Sequence, residues 1–163
     1  MRFELKQKIW SFGDDFIIRD ESGRDCYLVD GKAFSFGDQL IIQDMSGTEV
    51  ASIRERMFTW GKTYEILRPG QPATVVKKEK FTFFSCKFSV DGPEDRDYEA
   101  EGDFTDHEYE FQKRGKTVAR VTKRWFSWSD SYGIEILDGE DEVALLATAV
   151  VIDLICHSDE GGH

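Results

Sequence analysis

Short apolar runs separated by turn residues occupy most of the chain. The segment FIIRDESGRDCYLVDG (16–31) is an apolar run, a turn with Asp, Ser and Gly, and a second apolar run, which is the pattern of a β-hairpin. LIIQDMSGTEVASI (40–53) repeats this pattern 24 residues later, and YEFQKRGKTVARV (109–121) repeats it again. Further strands are predicted within 73–90 and 97–104. Strands at such short and regular spacing predict a sandwich or a barrel.

A longer internal repeat points to duplicated supersecondary units. GTEVASIRERMFTWGKTY (47–64) aligns without a gap with GKTVARVTKRWFSWSDSY (115–132), and seven of the eighteen positions are identical. One parity of the repeated strand carries two rows, each of an arginine and two aromatic residues. These rows could stack ligands or enter a bilayer interface, or could pack in the core. Aromatic residues occupy both parities, so the pattern leaves the facing of these rows open. The rows are Arg56, Phe58, Trp60 and Arg124, Phe126, Trp128.

The most apolar segment of the chain, DEVALLATAVVIDLICHSD (141–159), lies close to its end. Between Val143 and Cys156 only Thr148 and Asp153 are not apolar. As a helix these residues would extend about 21 Å, whereas a membrane span needs roughly 20 apolar residues. Asp153 would also be costly in lipid. We therefore predict no transmembrane span, and a helix that is instead buried within the protein.

A helix that is apolar on every side must be covered on every side, and a closed barrel of strands provides that cover. The acidic residues 140–142 suit the first turn of such a helix, where they complement its dipole. The sequence thus predicts a single all-β domain over 1–163. It is a closed antiparallel β-barrel, with strands within about 1–137, wrapped around a hydrophobic central helix at about 141–157.

This combination resembles the tubby-like superfamily and, within it, the short prokaryotic LURP-one-related proteins. The likeness covers nearly the whole chain and rests on LIIQDMSG, EYEFQKRGKTVARV, YEAEGDF, VTKRWFSWSDSYGIEI and the final apolar helix. It implies a barrel of about twelve strands around a central helix. Relatives of the family include the tubby proteins, which bind phosphoinositides, and the phospholipid scramblases. The resemblance implies a non-enzymatic binding or scaffold module and transfers no individual binding residue.

Charge and cysteine content narrow the choice of function. The net charge of −11 argues against a general nucleic-acid binder, which needs a basic face. Three widely spaced cysteines with no CxxC pair predict neither a zinc site nor a disulfide framework. We expect a reduced, cytoplasmic protein with no cofactor and no metal.

Basic residues nevertheless cluster, and they are the candidate contacts for an anionic lipid headgroup or a protein partner. The run 113–124 contains six basic residues and no acid. The alternative is a solvated strand that pairs with the acidic segment 91–110, which carries ten acids and one base. The candidate residues are Lys113, Arg114, Lys116, Lys123, Arg124, Arg54, Arg56, Lys77, Lys78 and Lys80.

An enzyme is the alternative function, with an acidic hydrolytic site at the barrel mouth. The sequence contains no nucleophile elbow, HExxH or phosphate-binding loop, and we assign no catalytic residue. Asp153 is the exceptional residue of the apolar helix. We expect it near the barrel mouth, bonded to backbone or to a basic side chain, and a buried functional carboxylate is the alternative.

Overall fold

The computed structural model of the chain describes residues 1–6, 15–31, 39–56, 63–80, 86–125 and 131–158. Within these ranges the chain forms twelve β-strands followed by one α-helix. The strands are β1 (Arg2–Lys6), β2 (Phe16–Asp20), β3 (Asp25–Asp30), β4 (Gln39–Asp44), β5 (Glu49–Glu55), β6 (Thr63–Leu67), β7 (Thr74–Lys80), β8 (Cys86–Asp91), β9 (Tyr98–Asp103), β10 (Glu108–Lys113), β11 (Lys116–Thr122) and β12 (Ser131–Ile136). The helix is α1 (Glu142–Ser158).

The twelve strands form a closed antiparallel barrel. Each strand pairs with its neighbours in sequence, and β1 pairs with β12 to complete the ring. In this closing pair Arg2 lies opposite Glu135 and Lys6 lies opposite Ser131. The predicted barrel with a C-terminal helix is confirmed.

The helix fills the barrel. All twelve residues from Ala144 to Ile155 are buried, and most of them belong to one hydrophobic core with the inward-facing residues of the strands. Along β1, for example, Phe3 and Leu5 are buried while Arg2, Glu4 and Lys6 are partly exposed. No helix in the described part of the chain is long and apolar enough to cross a membrane.

The short repeat is a repeated hairpin turn. At the end of β2 and again at the end of β4, an aspartate Oδ1 accepts hydrogen bonds from backbone N–H groups two and four residues later, at 2.9–3.1 Å. A glycine with φ near +85° completes each turn, a conformation that glycine adopts without steric cost. The aspartates are Asp20 and Asp44, and the glycines are Gly23 (φ 83°) and Gly47 (φ 86°).

The long repeat is a repeated pair of strands. Under its alignment β5 corresponds to β11, and the first residues of β6 and β12, Thr63 and Ser131, coincide. The tyrosines that follow them, Tyr64 and Tyr132, are both buried. The predicted aromatic rows at Phe58, Trp60, Phe126 and Trp128 lie outside the described residues.

The helix comes closer to some strands than to others. It approaches β5, β6, β7 and β12 most closely. The buried residues of β5–β7 include Ala51, Ile53, Ile66 and Val76. On the β8–β10 side the interior is filled by aromatic rings, with Phe88 and Phe104 packed edge to face at 4.8 Å between centroids. The buried aromatic residues there are Phe88, Tyr98, Phe104, Tyr109 and Phe111.

Candidate functional site

The basic residues predicted from the sequence lie on two separate parts of the barrel exterior. Arg54 and Arg56 belong to β5 and the residue after it, whereas Lys113 to Arg124 surround β11. In a ring of twelve strands β5 and β11 are six strands apart, so these groups lie on opposite sides. The candidates therefore do not form a single patch, and each group has its own electrostatic surroundings.

Two of the candidates share one carboxylate on the exterior of β5–β7, and a third lies on the same face. Arg54 Nη2 lies 2.9 Å from Glu65 Oε2, and Arg56 Nη2 lies 2.7 Å from Glu65 Oε1. Lys77 is exposed and lies opposite Thr63, whose carbonyl accepts the backbone N–H of Arg56. We call Arg54, Arg56 and Lys77 the basic face.

Glu65 positions the two arginines. Its side chain is 12% exposed, whereas those of Arg54 and Arg56 are 53% and 46% exposed. The hydrogen bond from Arg54, with further help from Arg56, lowers the pKa of Glu65 below the usual range although burial opposes the shift. The glutamate therefore stays ionised and holds both guanidinium groups near the surface, where a guanidinium group can donate to phosphate oxygens.

Of the other lysines predicted with Lys77, Lys78 does not extend this face. Lys78 is partly exposed and lies opposite Phe88, a buried residue, so it has the inward parity of β7. Lys80 ends β7, and its side chain lies outside the described residues.

On the opposite side of the barrel the basic run meets acidic partners. Arg120 Nε donates to Glu110 Oε1 at 3.0 Å across the β10–β11 ladder, and this contact is the largest cause of the lowered pKa of Glu110. Arg124 Nε is 3.9 Å from Glu108, and the backbone N–H of Lys123 donates to the same carboxylate at 3.3 Å. We call this exterior of β9–β11 the paired face. Its charges follow the alternative predicted from the sequence, in which the basic strand pairs with an acidic neighbour.

The β10–β11 turn carries the remaining predicted candidates. Lys113 Nζ lies 3.4 Å from Glu140, and Arg114, 78% exposed, lies 3.9 Å from Asp95. Lys116 is exposed. A surface groove of about 500 Å³ runs beside this turn and has a strongly acidic lining, which disfavours an anionic ligand here. Its carboxylates are Asp91, Glu94, Asp95, Asp97 and Glu99.

The start of α1 is fixed to the rim of the barrel by Asp141. Arg68 and Arg96 donate to Asp141 Oδ2 at 2.6 and 2.7 Å, and the N–H of Ala144 donates to Oδ1 at 3.2 Å. Asp141 thus caps the helix N-terminus and joins it to two loops of the barrel. Burial alone raises the pKa of Asp141, but the bonds from Arg96 and Ala144 and the charge of Arg68 outweigh it and lower the pKa.

Asp153 lies deeper, in a buried polar cluster. Its Oδ1 is 2.8 Å from Nε2 of His107, and its Oδ2 accepts the hydroxyl of Tyr132. All three side chains are at most 1% exposed. The predicted basic partner of Asp153 is thus a histidine, which comes from the turn between β9 and β10 at one end of the barrel. Tyr132 was not anticipated. The signal in the sequence was that a carboxylate in a wholly buried helix needs hydrogen-bond donors.

The family model for LURP-one-related proteins matches residues 1–153 of the chain. An uncharacterized protein of Bacillus subtilis (strain 168), YxjI, is 35% identical over 156 residues, which are 96% of this chain and 94% of that protein. The chain belongs to the LURP-one-related family. A crystal structure of an Arabidopsis thaliana protein, AT5G01750, has the same fold, with a TM-score of 0.67 and 18% identity over 93% of this chain and 90% of that one.

Proposed function

We propose that this LURP-one-related chain is a non-enzymatic binding module that engages the phosphate groups of anionic lipid headgroups through its basic face. The observation that carries the proposal is the sharing of Glu65 by Arg54 and Arg56, with Lys77 beside them. In the described part of this face three cations stand against that one shared carboxylate, and the next acid along β7, Glu79, lies opposite Lys87.

The spacing of the basic face suits a headgroup. Adjacent strands lie about 4.8 Å apart, so Arg56 and Lys77, with β6 between them, are separated by about 10 Å at the backbone. The two arginine forks are already oriented by Glu65, which reduces the ordering cost of binding. The filled interior of the barrel also favours an external site, because α1 is buried along its length. We expect this role to be cytoplasmic.

A protein partner is the second candidate, and the grooves of the β8–β11 exterior favour it. Besides the groove near Arg114, a groove of about 450 Å³ is lined by Glu101, Glu108 and Glu110. A partner there would present lysines or arginines. The hydrolase alternative has less support, since the titratable cluster at Asp153 is buried away from solvent and substrate.

Vesicle co-sedimentation at low salt tests the lipid proposal. The probe is phosphatidylcholine vesicles with and without a bisphosphorylated phosphoinositide. The test variant carries Arg54→Gln, Arg56→Gln, Glu65→Gln and Lys77→Gln, so that no carboxylate is left without its arginines. We expect binding of the wild type to the phosphoinositide vesicles, and a loss of about tenfold or more in the variant, from the loss of charge-assisted hydrogen bonds.

The matched control is Arg114→Gln with Lys116→Gln. Both variants lower the net charge by two, but the control changes only the β10–β11 turn. Equal weakening in both variants would show non-specific charge attraction, and absence of wild-type binding would refute the lipid proposal outright. Wild-type binding to a lysine-rich peptide in place of vesicles would favour the protein-partner alternative.

A further inference from the structure

Asp153 ties the second half of α1 to the barrel wall. His107 comes from the turn between β9 and β10, where it adopts a φ of +53°, and Tyr132 comes from β12. Both converge on Asp153, and the His107 ring stacks on that of Tyr132 with centroids 4.2 Å apart. One side chain of the helix is thus joined to two parts of the wall that are distant in sequence.

No solvent-exposed face marks the rotation of this helix. Every residue from Ala144 to Ile155 is buried, so no face of the helix in this range is marked by exposure to solvent. Apolar cores accept alternative arrangements of similar volume at small cost in free energy. The information that selects one rotation and one depth must come from elsewhere.

Two polar side chains lie between Ala144 and Ile155, a range that the structure describes throughout. The hydroxyl of Thr148 donates to the carbonyl of Ala144 at 2.7 Å, a bond within the helix that does not contact the wall. Asp153 alone in this range joins the helix to the wall by side-chain hydrogen bonds. It lies twelve residues beyond Asp141, or about 18 Å along the axis.

We propose that the Asp153 cluster is a register lock, which together with Asp141 at the rim sets the rotation and the depth of α1 inside the barrel. A buried charged network is seldom worth more to stability than well-packed apolar residues of the same volume, because desolvation offsets its attraction. Its attested value is to make one register much better than its neighbours. The lock therefore acts on the uniqueness of the fold more than on the free energy of unfolding.

The test removes every polar group of the lock together. In the variant with Asp153→Leu, His107→Leu and Tyr132→Phe we expect the melting temperature to be retained or raised. We expect the methyl resonances of α1, a single set in the wild type, to become two or more sets. Thr148→Val is the matched control, because it removes the other buried polar group of the same helix, and it should keep a single set.

A second variant separates register from stability. Asp153→Ala alone removes the carboxylate that both His107 and Tyr132 contact, so we expect it to melt below the triple variant. A triple variant that keeps a single set of resonances with wild-type contacts between α1 and the wall would overturn the proposal. A triple variant that melts below Asp153→Ala, or does not fold, would overturn it as well, since the cluster would then supply stability.

Discussion

The β5–β7 sector and the β8–β11 sector enclose the same helix in different ways. The first brings its strands close to α1 with residues such as Ala51 and Ile53, and the interior of the second is filled with rings such as those of Phe88 and Phe111. The exteriors differ too, since Glu65 is shared by two arginines while Glu110 is matched to Arg120. The chain is built partly from one repeated unit, yet its two sectors differ. We call β5–β7 the close side and β8–β11 the filled side. Each side should respond differently to mutation.

The helix is the element on which both sectors depend, so its removal should have the largest effect. Truncation before Val143 removes the segment that fills the barrel and exposes the inward residues of both sectors to water. We expect no soluble, cooperatively unfolding domain, as measured by circular dichroism melting and amide hydrogen exchange. A truncated chain that melts cooperatively would show that the strands can form a core alone.

On the filled side a large ring should be expensive to remove. Phe111 is 0% exposed and packs against Tyr109, with ring centroids 5.7 Å apart. We expect Phe111→Ala to lower the free energy of unfolding by about 3–5 kcal/mol, because the aromatic wall cannot collapse into the space. Denaturant titration gives the value, and Ile53→Val on the close side, at about 1 kcal/mol, is the comparison.

On the close side enlargement should be the more damaging change. Ala51 is 0% exposed on β5, one of the strands nearest to α1. We expect Ala51→Leu to cost about 1–3 kcal/mol through overpacking. Ala100, equally buried on β9, offers the same substitution on the filled side. A smaller cost for Ala51→Leu than for Ala100→Leu in denaturant titrations would contradict the closer approach of α1 to β5 than to β9.

The carboxylates of the two exteriors should contribute unequally to the free energy of unfolding, and both contributions should depend on pH. The pKa values of Glu65 and Glu110 are lowered in the folded state, so each adds stability above the ordinary glutamate pKa and loses it as the pH falls through the lowered value. We expect Glu65→Gln to cost about 1 kcal/mol at neutral pH and Glu110→Gln less, because Glu65 is the less exposed of the two.

Melting temperatures measured at neutral and acidic pH check this expectation. The difference between wild type and Glu65→Gln should shrink as the pH falls, since the protonated glutamate of the wild type no longer attracts the arginines. A difference that stays constant down to strongly acidic pH would mean that Glu65 contributes through packing and not through charge.

The smallest effect should come from the hydroxyl of Tyr109. It is buried on the filled side and has no hydrogen-bond partner among the described residues. Tyr109→Phe removes a polar atom that gains nothing from burial, so we expect a change within about 0.5 kcal/mol, or a small gain. A loss of more than about 1 kcal/mol in denaturant titrations would mean that the hydroxyl bonds to a group outside the described residues.

Local patterns in the sequence were sufficient to predict the fold, but they were insufficient to predict the contacts of the candidate site. The hairpin turn at Asp20 recurs at Asp44 because its hydrogen bonds are made within five residues, and the buried helix follows from the arithmetic of its length. Glu65 was not among the predicted residues, since only the β5–β6 register places it beside Arg54. His107 joins Asp153 across 46 positions of sequence, and nothing local to either residue indicates the other.

The pairing of β1 with β12 can form only late in synthesis, because the ribosome makes β1 first and β12 last. Eleven of the twelve strand pairings join strands that follow one another, and the twelfth has to wait for the last strand. Until then one side of β1 is an open edge that invites pairing with another chain, which is a route to aggregation. The outward positions of β1 are Arg2, Glu4 and Lys6, all charged, while Phe3 and Leu5 turn inward. Charged side chains on an edge strand disfavour such pairing.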